Sequence, residues 1–306
     1  MDVRVIRPHS VRVNTATRRA HRHVPERLWC FASLRESEEN FTRFRSVRLR
    51  WHLAAASVLA TLVVLAVPAA SITYGQVDSG HPQVGAILVQ FQGNWFEFCS
   101  GTLVSSHVFL TAGHCTDALT AFAFPLADIK VSFSKELFAR KAVRLDVAAY
   151  VTHPDYNWGP TSNPHDLGVI ILAKAVDRIR FGTLPRANYL DDLNAAGVLK
   201  TATFTNVGYG TDENIQGTNV RMFSTSSFKN LHDAWLYMSQ NPHQGNGGTC
   251  FGDSGGPTYF TNAGGAEIQV AVTSWGDAVC KSTNNNYRVD LPSSLAFIRD
   301  MIATYG

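Results

Sequence analysis

The chain has 306 residues, 45% of them hydrophobic, which is enough for one large domain or two smaller ones with a sizeable core. Its net charge of +3 conceals two opposite parts, because residues 1–50 hold 12 Arg, no Lys and 5 acidic residues, whereas residues 72–306 hold 15 basic and 19 acidic residues. The basic excess is therefore confined to the N-terminus. This excludes a nucleic-acid surface spread over the chain, and we predict no nucleic-acid partner.

The N-terminal 71 residues have the pattern of an export signal behind a basic leader. Residues 44–71 hold a basic stretch, an uncharged apolar run and then small residues, and a signal peptidase could cut after Ala69 or after Ser71. The apolar run of about 15 residues is at the short edge of what can span a bilayer, so a cleaved signal is favoured over a retained anchor. Residues 1–43 pattern as no domain, and they form either a disordered leader or an extension upstream of the true start.

Four of the five cysteines follow the export signal, and the fifth, Cys30, lies in the leader. The four are Cys99, Cys115, Cys250 and Cys280. Cysteines behind an export signal predict two disulfides in an oxidising, extracellular compartment, although the spacing alone allows three pairings. The sequence contains no C-x-x-C or H-E-x-x-H spacing, so it predicts no metal site, and it implies no other cofactor.

From residue 72 onward the chain consists mainly of short apolar or β-branched runs bounded by Gly, Pro, Asn and Asp, which predict β-strands. The predicted strands are residues 84–91, 101–112, 147–153, 167–173, 201–210, 234–240, 257–276 and 286–290, with a hairpin turn at 262–265. Only the C-terminus is predicted to be helical, with Ser293 or Ser294 as its cap, because five apolar residues between 295 and 305 fall near one helical face. Many turn-bounded strands predict an all-β fold built of barrels.

The segment "GDSGGP" (252–257) fits two different catalytic patterns. It matches the G-x-S-x-G elbow of α/β-hydrolases and also the box that surrounds the serine of trypsin-like peptidases. An α/β-hydrolase needs a histidine after its serine, but the last histidine of this chain is His243, before Ser254. The elbow interpretation is therefore excluded.

Two upstream segments supply the partners that a serine nucleophile needs. "TAGHC" (111–115) holds His114 and "NPHDLG" (163–168) holds Asp166, so the chain order is His114, Asp166, Ser254. Over residues 72–306 the sequence resembles the trypsin-like (chymotrypsin-fold) serine peptidases, which are also the usual template for describing this triad. The resemblance implies an all-β fold of two packed antiparallel six-stranded β-barrels, at about 72–185 and 186–306, with a C-terminal helix.

The resemblance also implies a role for each residue of the triad. Ser254 would attack the scissile carbonyl, His114 would act as general base and then general acid, and Asp166 would orient the imidazole. The backbone N–H groups of Gly252 and Ser254 would form the oxyanion hole.

Three other histidines and one aspartate compete for the same roles. His107 is predicted within a strand and His153 precedes a proline, so both are interpreted as structural or exposed. His165 adjoins Asp166 and, as its neighbour on a strand, should point the other way. Asp155 is the other candidate for the acid.

The substrate pocket is predicted from the same resemblance. Ser274 would support the side chain of Asp166, and Trp275 and Gly276 would form the wall of the pocket. The floor positions, Gly248 beside Thr249, and Asn285, are uncharged. A substrate cation buried there would have no counter-charge, so the pocket is predicted to take a neutral P1 side chain rather than Arg or Lys.

The resemblance further pairs the four cysteines and suggests how the enzyme is activated. It implies the disulfides Cys99–Cys115 and Cys250–Cys280, each worth roughly 3 to 4 kcal/mol in the chain-entropy model. It also implies that a new N-terminal amine at Ile72 folds inward to pair with Asp253. Cleavage after Ser71 would then both export and activate the protein, although Tyr74 stands where the family has a glycine.

Together these patterns predict a secreted, monomeric serine endopeptidase that acts on polypeptides, is open to protein inhibitors and has no membrane attachment after signal cleavage. Two alternatives remain. One is a trypsin-fold binding module that has lost catalysis, and the other is an esterase that uses the same triad.

Overall fold

The computed structural model describes residues 72–159 and 161–306. The predicted leader (1–43) and signal peptide (44–71) lie outside the described residues, together with Cys30 and both candidate cleavage positions. Within the described part of the chain, no helix is long and apolar enough to cross a bilayer.

The first half of the described chain forms a closed barrel of six antiparallel strands. The strands are β2 (Val84–Phe91), β3 (Asn94–Leu103), β4 (Val108–Thr111), β5 (Ile129–Ser132), β6 (Leu145–Thr152) and β7 (Gly168–Leu172). Their order around the barrel is β2-β3-β4-β7-β6-β5, and the interior is filled by apolar side chains such as Ile87, Phe109 and Ile170.

The second half forms another ring of six antiparallel strands. These are β8 (Thr203–Gly208), β9 (Met222–Leu231), β10 (Trp235–Ser239), β11 (Pro257–Thr261), β12 (Glu267–Gly276) and β13 (Thr283–Arg288). Pairing of β8 with both β9 and β11 closes the ring, and the short β1 (Gln76–Val77) adds to β9 from outside. The predicted fold of two six-stranded antiparallel barrels is confirmed.

The C-terminal helix explains why two strands of the first barrel are apolar on both faces. Every residue of β4 and β7 is buried. One face of each strand fills the barrel interior, whereas the other packs against a cluster that includes Leu295 and Ile298 of the helix α3 (Pro292–Tyr305). The predicted C-terminal helix is therefore confirmed, and it seals a surface that would otherwise expose apolar strands.

The helices differ from the sequence prediction in two respects. Two unpredicted helices, α1 (Gly113–Ala121) and α2 (Tyr189–Ala195), are present in addition to α3. The predicted cap of α3 is wrong, because the helix begins at Pro292, so that Leu291 is at the cap position and Ser293 and Ser294 lie within the first turn. Ser294 Oγ instead donates a hydrogen bond to Arg288 O at 2.9 Å.

The strand boundaries also differ in places. The single strand predicted at 101–112 is two strands, β3 and β4, which are joined by a turn and paired with each other. β5 and β9 were not predicted. β9 contains three Ser, one Thr, one Lys and one Asn and is buried on only part of its length, so it lacks the apolar run by which a buried strand is recognised.

A buried ion pair fixes the N-terminal segment to the second barrel. Asp78 and Arg221 are 1% and 4% exposed, and Arg221 Nε lies 2.8 Å from Asp78 Oδ2. Arg221 Nη1 also donates to the carbonyl oxygens of Val84 and Phe133. Burial alone would raise the pKa of Asp78, but hydrogen bonds from His81 and Arg221 lower it to about 2.

We expect Arg221→Met to lower the free energy of unfolding by about 3–5 kcal/mol, because it removes the guanidinium from the buried Asp78 carboxylate and leaves only His81 beside it. The pair stabilises the fold above the ordinary pKa of Asp78, and this contribution is lost as the pH falls toward about 2. Urea unfolding at pH 7 measures the effect. The matched control is Arg186→Met, whose exposed ion pair with Asp192 should be worth less than about 1 kcal/mol; equal losses in the two variants would contradict the expectation.

Candidate active site

His114 and Asp166 come together where the first helix begins. His114 is the second residue of α1, so its backbone N–H has no partner within the helix, and it donates to Asp166 Oδ1 at 2.8 Å. The imidazole Nδ1 lies 3.0 Å from Asp166 Oδ2, and Ser274 Oγ donates to the same oxygen at 2.5 Å. Asp166 is fully buried, and these contacts hold the ring of His114 in one orientation.

The same contacts set the electrostatics of the pair. Burial alone would lower the pKa of His114, but the charge of Asp166 and its hydrogen bond outweigh burial, so the pKa of His114 is raised above its ordinary 6.5. Burial would likewise raise the pKa of Asp166, but the charge of His114 and the hydrogen bonds from His114 and Ser274 lower it. The Asp166 carboxylate therefore favours the positively charged form of the imidazole over its neutral form.

Ser254 lies beside this pair because its loop is anchored to the first barrel. Its carbonyl oxygen accepts a hydrogen bond from Ser100 N at 2.8 Å and lies 3.8 Å from Cys115 Sγ, one residue from His114. The following residue, Gly255, has φ +79°, and a Cβ there would lie 2.1 Å from Thr111 Oγ1, so only glycine allows this approach. The structure forms no hydrogen bond between Ser254 Oγ and the His114 ring, both of which are described.

The backbone N–H groups of Gly252 and Ser254 are free of hydrogen bonds in the described part of the chain. The carbonyl oxygens of Gly252 and Ser254 accept hydrogen bonds from Ser100, whereas neither N–H donates a hydrogen bond to any described residue. Gly252 has φ +94°, and a Cβ there would lie 2.4 Å from Glu97 Oε2. The N–H groups of Gly252 and Ser254 are separated by one residue, and two such unpaired donors form the arrangement that can stabilise an oxyanion.

Two carboxyl groups lie directly behind this loop. Asp253 is fully buried and accepts hydrogen bonds from Gly210 N at 2.8 Å and Cys250 N at 2.9 Å, and burial raises its pKa to about 7. Burial and the charge of Asp253 raise the pKa of Glu97 well above its ordinary value. Ile72 is fully buried, but no hydrogen bond joins its backbone N to Asp253 among the described residues.

The predicted pocket residues come together on two adjacent strands and the loop before Ser254. In the register of β12 and β13, Trp275 is opposite Asn285 and Gly276 is opposite Asn284. Thr249 Oγ1 donates to Asn284 Oδ1 at 2.8 Å, which attaches the loop to these strands. Gly248 pairs through its backbone with Thr73.

The competing histidines and Asp155 are occupied elsewhere. His107 lies in the turn before β4, not within a strand as predicted, and its ring contacts Ser106. His165 is also not on a strand. Its φ is +51°, and its ring stacks on that of the buried His153 at 4.7 Å. Asp155 is exposed, and none of these four side chains forms a hydrogen bond with Ser254 in the described part of the chain.

Sequence patterns did not identify three residues around the site. Trp158 has its ring 5.6 Å from that of His114 and is 55% exposed, so it covers one side of the imidazole. Glu97 lies against Gly252, and Gln240 lies against Gly248. The contacts of Trp158 and Glu97 join distant segments, whereas Gln240 and Gly248 lie in the same loop, and no motif marks any of the three.

Both disulfides lie next to the candidate catalytic residues. Cys99 is joined to Cys115, which ties β3 to α1 beside His114, and Cys250 is joined to Cys280, which ties the Ser254 loop to the turn before β13. These are the two pairings that the resemblance implies.

Two groups of potential metal ligands occur in the described part of the chain. In the first, Cys99 and Cys115 form a disulfide beside His114 and offer no thiolate. In the second, His153, Asp155 and His165 lie close together, but the two imidazole rings are stacked with an interplanar angle of 22°. Nearly parallel rings direct their lone pairs into separate planes, so this group is poorly arranged for a shared ion.

Comparison with known proteins gives consistent matches over the barrels. A model of the trypsin family matches residues 75–298. A trypsin-like protease of Streptomyces glaucescens is 29% identical over 202 residues, covering 60% of this chain and 67% of that protein. Fibrinolytic enzyme, isozyme C, of Lumbricus rubellus is 26% identical over 60% of this chain and 78% of its own length. An inactive CLIP domain-containing serine protease A28 of Anopheles gambiae is 25% identical over 58% of this chain and 49% of its own length.

Proposed function

This chain belongs to the trypsin family, and on that premise we propose that it is a secreted serine endopeptidase. The observation that carries the proposal is the buried Asp166, hydrogen-bonded to His114 beside a serine whose loop presents two free N–H groups. An inactive binding module has no need for a buried carboxylate that polarises a histidine next to a serine.

The proposed reaction uses each of these groups in turn. His114 takes the proton of Ser254 Oγ as the oxygen attacks the scissile carbonyl, and Asp166 stabilises the imidazolium that results. The N–H groups of Gly252 and Ser254 bind the negative charge that develops on the carbonyl oxygen. His114 then donates its proton to the leaving amine, and water releases the acyl group in the same way. Substrate binding brings Ser254 Oγ within hydrogen-bonding distance of His114, as catalytic contacts often tighten only in the complex.

We expect activity to fall on acidification as His114 becomes protonated. Because Asp166 raises the pKa of His114, the acidic limb of kcat/KM should have its midpoint above pH 6.5. Asp166→Asn should move this midpoint down, since the carboxylate no longer favours the imidazolium. A pH profile of kcat/KM for both proteins measures the shift; an unchanged midpoint in Asp166→Asn would contradict the assignment.

The proposal includes export and cleavage after Ser71. Two disulfides support an oxidising compartment. Cleavage before Ile72 is supported by its backbone, because φ is +60° at this β-branched residue, a conformation that costs on the order of 1–3 kcal/mol. Cutting the preceding peptide bond abolishes this dihedral constraint and creates an amine close to the loop that holds Asp253.

The experiment that tests the proposed function is digestion of a denatured protein mixture by the chain starting at Ile72. We expect cleavage at internal peptide bonds, detected by mass spectrometry of the fragments. Hydrolysis of esters with no peptide cleavage would favour the esterase alternative. No hydrolysis of either would favour the binding module.

A further inference from the structure

The base of the predicted P1 pocket is filled by Gln240, which lies in the same loop as Gly248, between β10 and β11. Gln240 follows β10 and is fully buried. A Cβ built on Gly248 would lie 1.7 Å from Gln240 Oε1 and 2.4 Å from Gln240 Cβ. The Gln240 side chain therefore occupies the space that a side chain at position 248 would fill, and Gly248 leaves room for it.

The orientation of the Gln240 amide is fixed by its partners. Nε2 lies 3.4 Å from Asp277 Oδ1 and 3.4 Å from the carbonyl oxygen of Thr283, and both of these atoms can only accept hydrogen bonds from it. Asp277 also accepts hydrogen bonds from the backbone N–H groups of residues 281–283, so it is held as a carboxylate. The amide nitrogen must face Asp277, and Oε1 must face Gly248.

Gln240 Oε1 is a buried acceptor without a partner among the described residues. Asn285 Oδ1 is also buried and unpaired, and it lies on β13 opposite Trp275. Asn284 uses only one of its two amide atoms, toward Thr249, and leaves the other unpaired. A buried polar atom without a hydrogen bond is unfavourable, so Gln240 Oε1 is placed to accept a hydrogen bond from a group that enters the pocket.

We propose that Gln240 is a specificity-determining residue and that the pocket selects substrates with glutamine at P1. This inference rests on the proposed function. A neutral carboxamide donates from its NH2 group to Gln240 Oε1 and carries no charge toward Asp277 behind it. A glutamate would bring a carboxylate toward an acceptor that has Asp277 behind it, and a methionine would leave Oε1 unpaired.

The test compares three substrates that differ only at P1. In a peptide that the chain starting at Ile72 cleaves, P1 is made Gln, Met or Glu, which are similar in length. We expect kcat/KM to be at least about tenfold higher for Gln than for Met or Glu, because only Gln satisfies the buried acceptor. Equal or faster cleavage after Met would overturn the inference, and this comparison needs no variant.

A variant tests whether Gln240 itself is responsible. Gln240→Met keeps the length of the side chain and removes its acceptor, so the ratio of kcat/KM for Gln over Met should fall to about 1. Gln244→Met is the matched control, because Gln244 is exposed in the same loop and contacts Ser239, and its ratio should stay unchanged. An unchanged ratio in a folded Gln240→Met would overturn the inference.

The proposed function is tested separately in the same samples. Titration with a fluorophosphonate reports how much protein has a reactive serine, whatever the P1 residue. Labelling without the Gln preference would overturn only the role of Gln240. Absence of both labelling and cleavage would overturn the proposed function and, with it, this inference.

Discussion

Ser254→Ala is expected to lower kcat for peptide hydrolysis by about 10⁴- to 10⁶-fold, because no acyl-enzyme can form without the hydroxyl. Binding should change little, since the side chain is small and partly exposed in its loop. The residual rate would come from the free N–H groups of Gly252 and residue 254, which still stabilise the oxyanion.

The comparison variants separate this role from damage to the fold. Asp166→Asn should lower kcat by about 10⁴-fold, since the amide cannot stabilise the imidazolium. Combining it with Ser254→Ala should add little, because the residues act as one unit. Ser79→Ala, at an exposed serine outside the site, is the matched control and should leave kcat unchanged. A Ser254→Ala protein that retains a tenth of its activity would contradict the assignment of the nucleophile.

The substitution Asp253→Asn is expected to lower activity in a chain cleaved before Ile72 and to raise stability in a chain that is not cleaved there. In a chain starting at Ile72, we expect the new amine to supply the cation for the buried carboxylate and to fix the neighbouring N–H groups of Gly252 and Ser254. Asp253→Asn removes the charge, and we expect kcat to fall by about 10²- to 10³-fold, as when an oxyanion donor is lost.

In a chain starting at Ala69, Ile72 has no free amine, and the same substitution should be stabilising above neutral pH. The pKa of Asp253 in this fold is about 7, against an ordinary 3.8, because the carboxylate is buried. The folded state therefore favours the protonated form. Its contribution to stability is complete below the ordinary pKa and is lost as the pH rises through about 7.

Thermal unfolding of the Ala69 chain between pH 4 and 8 measures this effect. We expect its stability to fall across the range, and to fall less in Asp253→Asn. Glu97, whose pKa is also raised, should contribute in the same direction, so Asp253→Asn combined with Glu97→Gln should show the flattest profile. A profile unaffected by either substitution would contradict the presence of uncompensated carboxyl groups behind the loop.

The fold was predictable from sequence where local patterns are strong. Apolar, turn-bounded runs gave most strands of both barrels, and the apolar face between Leu295 and Ile302 identified the C-terminal helix. The short helices α1 and α2 were missed because neither has a side-chain cap. β9 was missed because two of its buried residues, Ser224 and Ser226, are polar, so its inward face does not have an apolar pattern.

The candidate site was predictable to the extent that its residues lie in short motifs. His114, Asp166 and Ser254 each adjoin a recognisable segment, and the structure brings all three to neighbouring positions. His165 was expected to point away from the site because it would lie on a strand beside Asp166. That reason was wrong, because the chain has a left-handed backbone conformation at His165. Glu97 and Gln240 carry no motif. The proximity of Glu97 to Gly252 depends on how distant segments pack, and that of Gln240 to Gly248 on how one loop folds back on itself.

The most direct test of the account is to locate the covalent adduct of a fluorophosphonate on the chain starting at Ile72. Peptide mass spectrometry should find one modified residue, Ser254, and labelling should disappear in His114→Ala, in which no base activates the serine. An intact, correctly processed protein that remains unlabelled, or an adduct on any other residue, would contradict the claim that Ser254 is the nucleophile.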